Sequence, residues 1–265
     1  MTLDLTKICL ADVSGNMKTV RCEQIIKIFD GVQALAGVDL QFSASGVVAI
    51  IGPNGAGKTT LLNVLTGFIR PDVGHCWLNE QRITKLAPYR IVRLGMARTF
   101  QDLRLITQVS VLDNVMTARP NQRGETLLGA LFRIGVAAEE ARNREMALRL
   151  LRFVGLEEKA EELAGELSYG QQKLLTLACC LATEAQILLL DEPVAGVHPE
   201  MIQQILGLLR QLREQGKLVI FIEHDIAAVR QVADVVVVMD EGRVIAQGAP
   251  NEVLERPEIM EAYLA

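Results

Sequence analysis

Apolar residues gather in short unbroken runs along the chain, at Val47–Ile51, Ile187–Leu190, Leu218–Ile222 and Val235–Met239. Each run has the length of a strand buried on both faces of a parallel sheet and falls far short of the roughly 20 residues that cross a bilayer. Residues 19–50 alternate instead, with turn signals at Asp30-Gly31 and Ser43–Gly46, so short alternating strands are expected there. Val47–Ile51 then runs into a glycine-rich stretch, Gly52–Thr60, and Thr60–Gly67 reads as the following helix. Between Asp102 and Glu166 the period becomes helical. Leu127–Leu131 is apolar at helical spacing, and Glu139–Leu151 is a charged amphipathic helix with Ala141, Met146 and Leu150 predicted on its inner face. From Ile187 strands and helices alternate again, ending in a short helix around Ile259–Leu264, while residues 1–18 form an irregular lead-in with Met17 a candidate native start. The pattern predicts a βα core interrupted by a helical insertion: one compact unit carrying a subdomain.

Composition narrows this picture in three ways. Half of the 265 residues are hydrophobic, enough for a sizeable core. The net charge of −5 argues against a nucleic-acid partner, because phosphate binding leaves a basic footprint. Five cysteines, Cys9, Cys22, Cys76, Cys179 and Cys180, are an odd number without CxxC spacing, which points to reduced buried thiols rather than a disulfide framework or a zinc site. Asp4, Lys7 and Asp12 break any apolar run at the N-terminus, so no signal peptide is expected, and the chain is not expected to enter a membrane by itself.

Chemistry enters at Gly52-Pro53-Asn54-Gly55-Ala56-Gly57-Lys58-Thr59, which fits G-x-x-x-x-G-K-[ST] between a buried strand and a helix. Glycines there let backbone N–H groups turn inward to cradle phosphate oxygens, and the helix start adds its positive dipole end. Lys58 would reach the β- and γ-phosphates, the Thr59 hydroxyl would hold Mg²⁺, and Thr60 continues the turn. A second apolar strand ends in Asp191-Glu192. At the carboxyl end of a strand Asp191 can hold Mg²⁺, directly or through water, and Glu192 can polarise an attacking water.

Between these two motifs stands Leu167-Ser168-Tyr169-Gly170-Gln171-Gln172, followed by a helical stretch, Lys173–Ala182. Ser168, Gly170 and Gln171 sit where a helix begins, with donors able to grip a phosphate. The segment resembles the signature motif of ABC ATP-binding domains, with Tyr at its third position. The resemblance covers about Val20 to Ala265 and extends to three more positions. Gln101, in Arg98-Thr99-Phe100-Gln101, matches the glutamine that senses Mg²⁺ and water; His224, in Glu223-His224-Asp225, matches the switch histidine on the γ-phosphate; Phe29, ahead of Asp30-Gly31, matches the aromatic that stacks on adenine.

This resemblance implies an α/β P-loop NTPase of RecA-like type. Core and N-terminal antiparallel β subdomain would occupy residues 20–101 and 185–265, and an inserted α-helical subdomain carrying the signature would occupy 102–184. It also implies ATP/ADP and Mg²⁺ as ligands. The expected catalytic set is Glu192, His224, Gln101 and Lys58, with Thr59, Gln101 and Asp191 toward the metal. Ser168 and Gly170 would act on the nucleotide of a second ATP-binding subunit. Integral membrane permeases, and indirectly a substrate-binding protein, are the further partners implied, which would place the chain in the cytoplasm on the inner face of the membrane.

Ala97–Leu105, Tyr169–Gln172 and Ala195-Gly196-Val197-His198-Pro199 look most like the ATPases of branched-chain amino acid importers. ATPases of urea or amide importers and of lipopolysaccharide-type exporters share parts of this set, and a soluble ABC ATPase acting on nucleic acid or ribosomes is the remaining alternative. Two departures stand out. Lys173–Cys180 replaces a basic, Ile-Ala-Arg-containing run, and His198 stands where Asp or Asn is usual, either as a pH-sensitive interface group or as a simple hydrogen-bonding substitute.

Overall fold

The apolar runs become the centre of a six-stranded sheet in the computed structural model, which describes residues 8–9, 18–43, 45–120, 122, 136–257 and 259. Strands β4 (Gly46–Ile51), β7 (Met96–Arg98), β8 (Ile187–Asp191), β9 (Leu218–Ile222), β10 (Val235–Asp240) and β11 (Arg243–Gly248) lie in the order β11-β10-β4-β9-β8-β7. All neighbours pair in parallel except the β10–β11 hairpin. Every residue of β8 and β9 is buried, which explains why these strands read as continuous apolar runs without alternation.

The second sheet has the order β1-β3-β2-β5-β6, built from β1 (Ile8–Cys9), β2 (Thr19–Phe29), β3 (Val32–Ser43), β5 (Val73–Leu78) and β6 (Gln81–Arg82). Asp30 and Gly31 both take positive φ, 45° and 85°, the backbone that a two-residue hairpin needs to follow strand twist. β2 and β3 are long, 11 and 12 residues, rather than the short strands expected; register shifts around Gln24 let them bend without ending. The lead-in is not wholly irregular, because Ile8–Cys9 adds to β3 in parallel at Phe42–Ser43. His75 is a strand residue of β5, set edge-on to Trp77.

The described residues form two compact units. One comprises those within Met1–Arg98, Gln186–Ala195 and Pro199–Ala265; the other comprises those within Thr99–Ala185 together with Gly196–His198. The first holds both sheets together with α1 (Lys58–Leu65), α2 (Pro88–Arg93), α6 (Pro199–Glu214), α7 (Ile226–Val232) and α8 (Pro250–Val253). On α6 the buried residues Ile205, Leu206, Leu208, Leu209 and Leu212 form a stripe at helical spacing, each side chain contributing roughly 1.5–3 kcal/mol by leaving water.

The second unit holds α3 (Val111–Thr117), α4 (Val136–Val154) and α5 (Tyr169–Ala182). Asn114, buried on α3, accepts from the Ile106 amide at 2.9 Å and donates to the Ile106 and Ser110 carbonyls at 3.0 Å, fixing the loop that leads into its helix. The expected amphipathic helix is α4, but its inner face is shifted. Ala147, Leu151 and Val154 are the buried residues, Met146 and Leu150 flank them, and Ala141 is exposed, because the stripe runs through Asn143 one turn below Ala147. The predicted helix at Leu127–Leu131 and that around Ile259–Leu264, beyond Ile259 itself, lie outside the described residues.

Among the described residues Cys22, Cys76, Cys179 and Cys180 are reduced thiols outside any disulfide. Burial pushes Cys179 up to about 12, and the Cys76 thiol 3.5 Å away, together with burial, pushes Cys22 well above its usual range. Both are therefore poor nucleophiles, as the expected reduced, structural thiols should be. No helix among the described residues is long and apolar enough to cross a membrane.

Candidate functional site

β4 ends at Ile51 and the chain turns at Gly52, where a Cβ would lie 2.0 Å from the Met239 carbonyl. At Gly57, the N-cap of α1, a Cβ would lie 2.4 Å from the Ala34 carbonyl, and φ is 92°. Only glycine fits either point, so the loop's path follows from its sequence. Around Gly55 nothing lies within 4 Å of a Cβ position, and Asn54, Gly55 and Thr59 are exposed while Pro53, Thr60 and the buried Ala56 complete the loop. The result is an open backbone cradle at the start of a helix, suited to anionic oxygens.

Lys58 is buried beneath this loop and donates from Nζ to the Gly52 carbonyl at 2.7 Å and the Pro53 carbonyl at 2.9 Å. Burial lowers its pKa from the ordinary lysine value, and the carboxylates of Glu192 and Asp191 oppose that shift. The cation is thus held inside the cradle by the chain's own carbonyls.

Parallel pairing of β8 with β9 sets Asp191 opposite Ile222. The residues after each strand therefore emerge side by side: Glu192 from β8, and Glu223 and His224 from β9. Glu192 takes φ of 50°, a left-handed conformation costing on the order of 1–3 kcal/mol for a non-glycine residue, and it does so just before Pro193, where extended backbone is favoured. Its N–H donates to the Ile222 carbonyl at 3.0 Å. The side chains of Glu192 and His224 meet, with Oε1 and Nε2 3.3 Å apart. Asp225 follows as the N-cap of α7, accepting from the Ala227 and Ala228 amides, which fixes the backbone just beyond His224.

Arg98, the last residue of β7, was not singled out by sequence. Its Nη2 donates to Asp191 Oδ2 at 2.7 Å, with the two side chains 4% and 2% exposed, while Nη1 donates to Asn63 Oδ1 of α1 at 2.7 Å. A buried carboxylate needs such a partner, and the arginine fork ties β7, β8 and α1 together around it. The signal available in sequence was only an arginine ending a short apolar segment.

Phe29 ends β2, 41% exposed, with Lys27 Nζ 5.2 Å from its ring centroid. The first unit therefore brings together the Gly52–Thr60 loop, Asp191, Glu192 and His224, and also carries Phe29. Gln101 and the signature residues belong to the second unit. There Arg104 stacks on Phe100 at 3.6 Å, beside the exposed Gln101. Ser168 is the N-cap of α5 in a capping box: its Oγ accepts from the Gln171 amide at 3.4 Å, and Gln171 Oε1 accepts from the Ser168 amide at 3.0 Å. Gly170 lies in the first turn. Leu174, Leu175 and Ala178, within the departure from the family's usual run, are buried along α5. His198 is exposed.

The oxygen donors Thr59 and Asp191 are of the hard type that Mg²⁺ takes together with substrate phosphates, so the residues fit that ion. Among the described residues no cluster of three or more His, Cys, Asp or Glu forms a site of its own for a metal.

The family model described as ABC transporter matches residues 35–195, more than half of the chain. The chain belongs to the ABC transporter family. An ABC relative, the high-affinity branched-chain amino acid transport ATP-binding protein BraF of Pseudomonas aeruginosa, is 38% identical over 238 residues, 89% of this chain and 93% of its own. The Escherichia coli protein of that description, LivG, is 36% identical over 240 residues, with the same coverage of both chains. Among solved structures, a nucleotide-free ATP-binding cassette from an ABC transporter is 34% identical with a TM-score of 0.82, covering 94% of this chain and 99% of its own. A cassette in its ADP conformation is also 34% identical, with a TM-score of 0.81 over 94% and 100%. A dimeric bacterial ABC transporter cassette, 25% identical, has a TM-score of 0.74 over 87% and 98%. The α/β P-loop NTPase fold expected from sequence is borne out, and the chain is an ATPase subunit of the ABC type.

The buried ion pair at the centre of this site yields a stability prediction. Arg98→Met leaves Asp191 buried without its cation and should lower unfolding free energy by about 3–5 kcal/mol. A urea midpoint equal to that of the unaltered chain would contradict it.

Proposed function

We propose that this chain hydrolyses ATP to power import of branched-chain amino acids, as one of two ATP-binding subunits docked on permease subunits at the cytoplasmic face of the membrane. The observation that carries this reading is the meeting of the phosphate loop, Asp191, Glu192 and His224 in one unit, on a chain 35–38% identical to branched-chain amino acid transport ATP-binding proteins. The Ala97–Leu105 and Tyr169–Gln172 segments support the same subfamily.

The steps follow from the chain's own groups. Backbone amides of Gly55–Gly57 bind the phosphates, and Lys58 exchanges the Gly52 and Pro53 carbonyls for β- and γ-phosphate oxygens. Phe29 stacks on the adenine. Thr59 and Asp191 would hold Mg²⁺, which supplies neutralisation of charge on the transferring phosphoryl group. Glu192 orients the attacking water and accepts its proton, and His224, 3.3 Å from it, donates toward the γ-phosphate. Gln101 would face the metal and the attacking water. Ser168, Gly170 and Gln171 cap the nucleotide bound to the other subunit, so ATP favours the closed pair through its higher affinity for that state. A dimeric cassette of the family, 25% identical, supports pairing of two such subunits.

Glu192→Gln should keep ATP binding, lose turnover by at least a hundredfold, and run as a dimer with ATP in size exclusion. Undiminished hydrolysis in that variant would sink the catalytic assignment. The transport reading predicts that the chain co-purifies from native membranes with hydrophobic permease subunits; recovery only as a solitary soluble species would count against it.

A further inference from the structure

Glu223 is 2% exposed and lies between Ile222, the last residue of β9, and His224. Nothing in the roles above uses it, yet a buried carboxylate is retained only where hydrogen bonds compensate its desolvation. Its two oxygens reach in different directions. Oε1 accepts from the Val194 amide at 2.8 Å, two residues beyond Glu192, and Oε2 accepts from the amide of His224 at 3.1 Å. Its own N–H donates to the Ile50 carbonyl at 3.4 Å, near the end of the strand that feeds the phosphate loop.

We propose that Glu223 is a positioning residue for ATP hydrolysis, its single carboxylate clamping the turn that carries Glu192 to the loop that carries His224. The turn needs a clamp because Glu192 is held in a left-handed conformation ahead of Pro193. Among the hydrogen bonds that hold it there are Glu192 N–H to the Ile222 carbonyl, Ala195 N–H to the Glu192 carbonyl at 3.3 Å, and Val194 N–H to Glu223. The last of these comes from a side chain, and the same side chain accepts from the His224 amide. One carboxyl group, accepting on both oxygens, thus ties together the backbone on either side of the 3.3 Å approach of Glu192 to His224. A glutamine of the same shape can accept on one side only and turns an NH₂ toward the other amide.

This inference rests on the proposed roles of Glu192 and His224, and the test separates the two. ATP turnover and affinity for a fluorescent ATP analogue are measured on the full chain as Glu223→Gln, Glu192→Gln, His224→Ala and the Glu223→Gln/His224→Ala double variant, under single turnover where rates are low. Glu223→Gln should lower kcat about ten- to a hundredfold while leaving KM and analogue affinity within about twofold. In the His224→Ala background the same substitution should add less than about a twofold loss, because both changes disable one unit. Wild-type kcat in Glu223→Gln, a fully multiplicative loss in the double variant, or loss of analogue binding together with the folded melting transition would each overturn the proposal. If Glu192→Gln and His224→Ala themselves turn over normally, the site reading falls as well; if they fail and Glu223→Gln does not, only the clamp falls.

Discussion

The structure of the site depends on the parallel register of β8 and β9. Side chains of a parallel sheet project from fixed positions, and pairing Asp191 with Ile222 brings the next residues of both strands out at one edge. A slip of one residue would turn Asp191 to the opposite face and part Glu192 from His224. The register is itself held by apolar burial, since both strands are covered throughout, and by β4, which pairs with β9 on its other side. The core and the chemistry are therefore not separate features. The most buried strands are the ones that aim the polar groups.

That arrangement carries an electrostatic cost, and the chain meets it locally. Lys58, Asp191 and Glu223 are all buried near the carboxyl ends of the central strands. Lys58 is bonded to loop carbonyls, Asp191 to Arg98, and Glu223 to two backbone amides. Each has a different kind of partner, so each can answer differently to a phosphate. Lys58 can exchange one set of oxygens for another at small cost, whereas the carboxylates are fixed by donors belonging to the scaffold. Rigidity at the acids and exchange at the lysine is the division of labour expected of a site that positions water but must admit and release nucleotide.

Much of this was legible from sequence because its cause is local. Runs such as Leu218–Ile222 announce strands buried on both faces, and the phosphate loop's glycines have no alternative backbone, as contacts at Gly52 and Gly57 make plain. The βα core with its helical insertion followed from those signals, and the fold class from the family resemblance that the ordered motifs carry. What escaped was set by tertiary pairing. Arg98 and Asp191 are 93 positions apart, Val194 and Glu223 are 29 apart, and no spacing rule joins them. Ala141 was misjudged on a helix whose face is chosen by its neighbours. The left-handed Glu192 was invisible too, since non-glycine residues adopt that backbone only when surrounding bonds impose it.

In the function we propose, one chain carries half of each working site: phosphate loop, Asp191, Glu192 and His224 for its own nucleotide, and Ser168, Gly170 and Gln171 for a partner's. Turnover per chain, measured against chain concentration at saturating ATP and Mg²⁺, tests this most directly. The account predicts a rate per chain that climbs with concentration from near zero to a plateau, as two chains close on shared nucleotides. A rate per chain that stays constant down to concentrations where the protein is monomeric would contradict it.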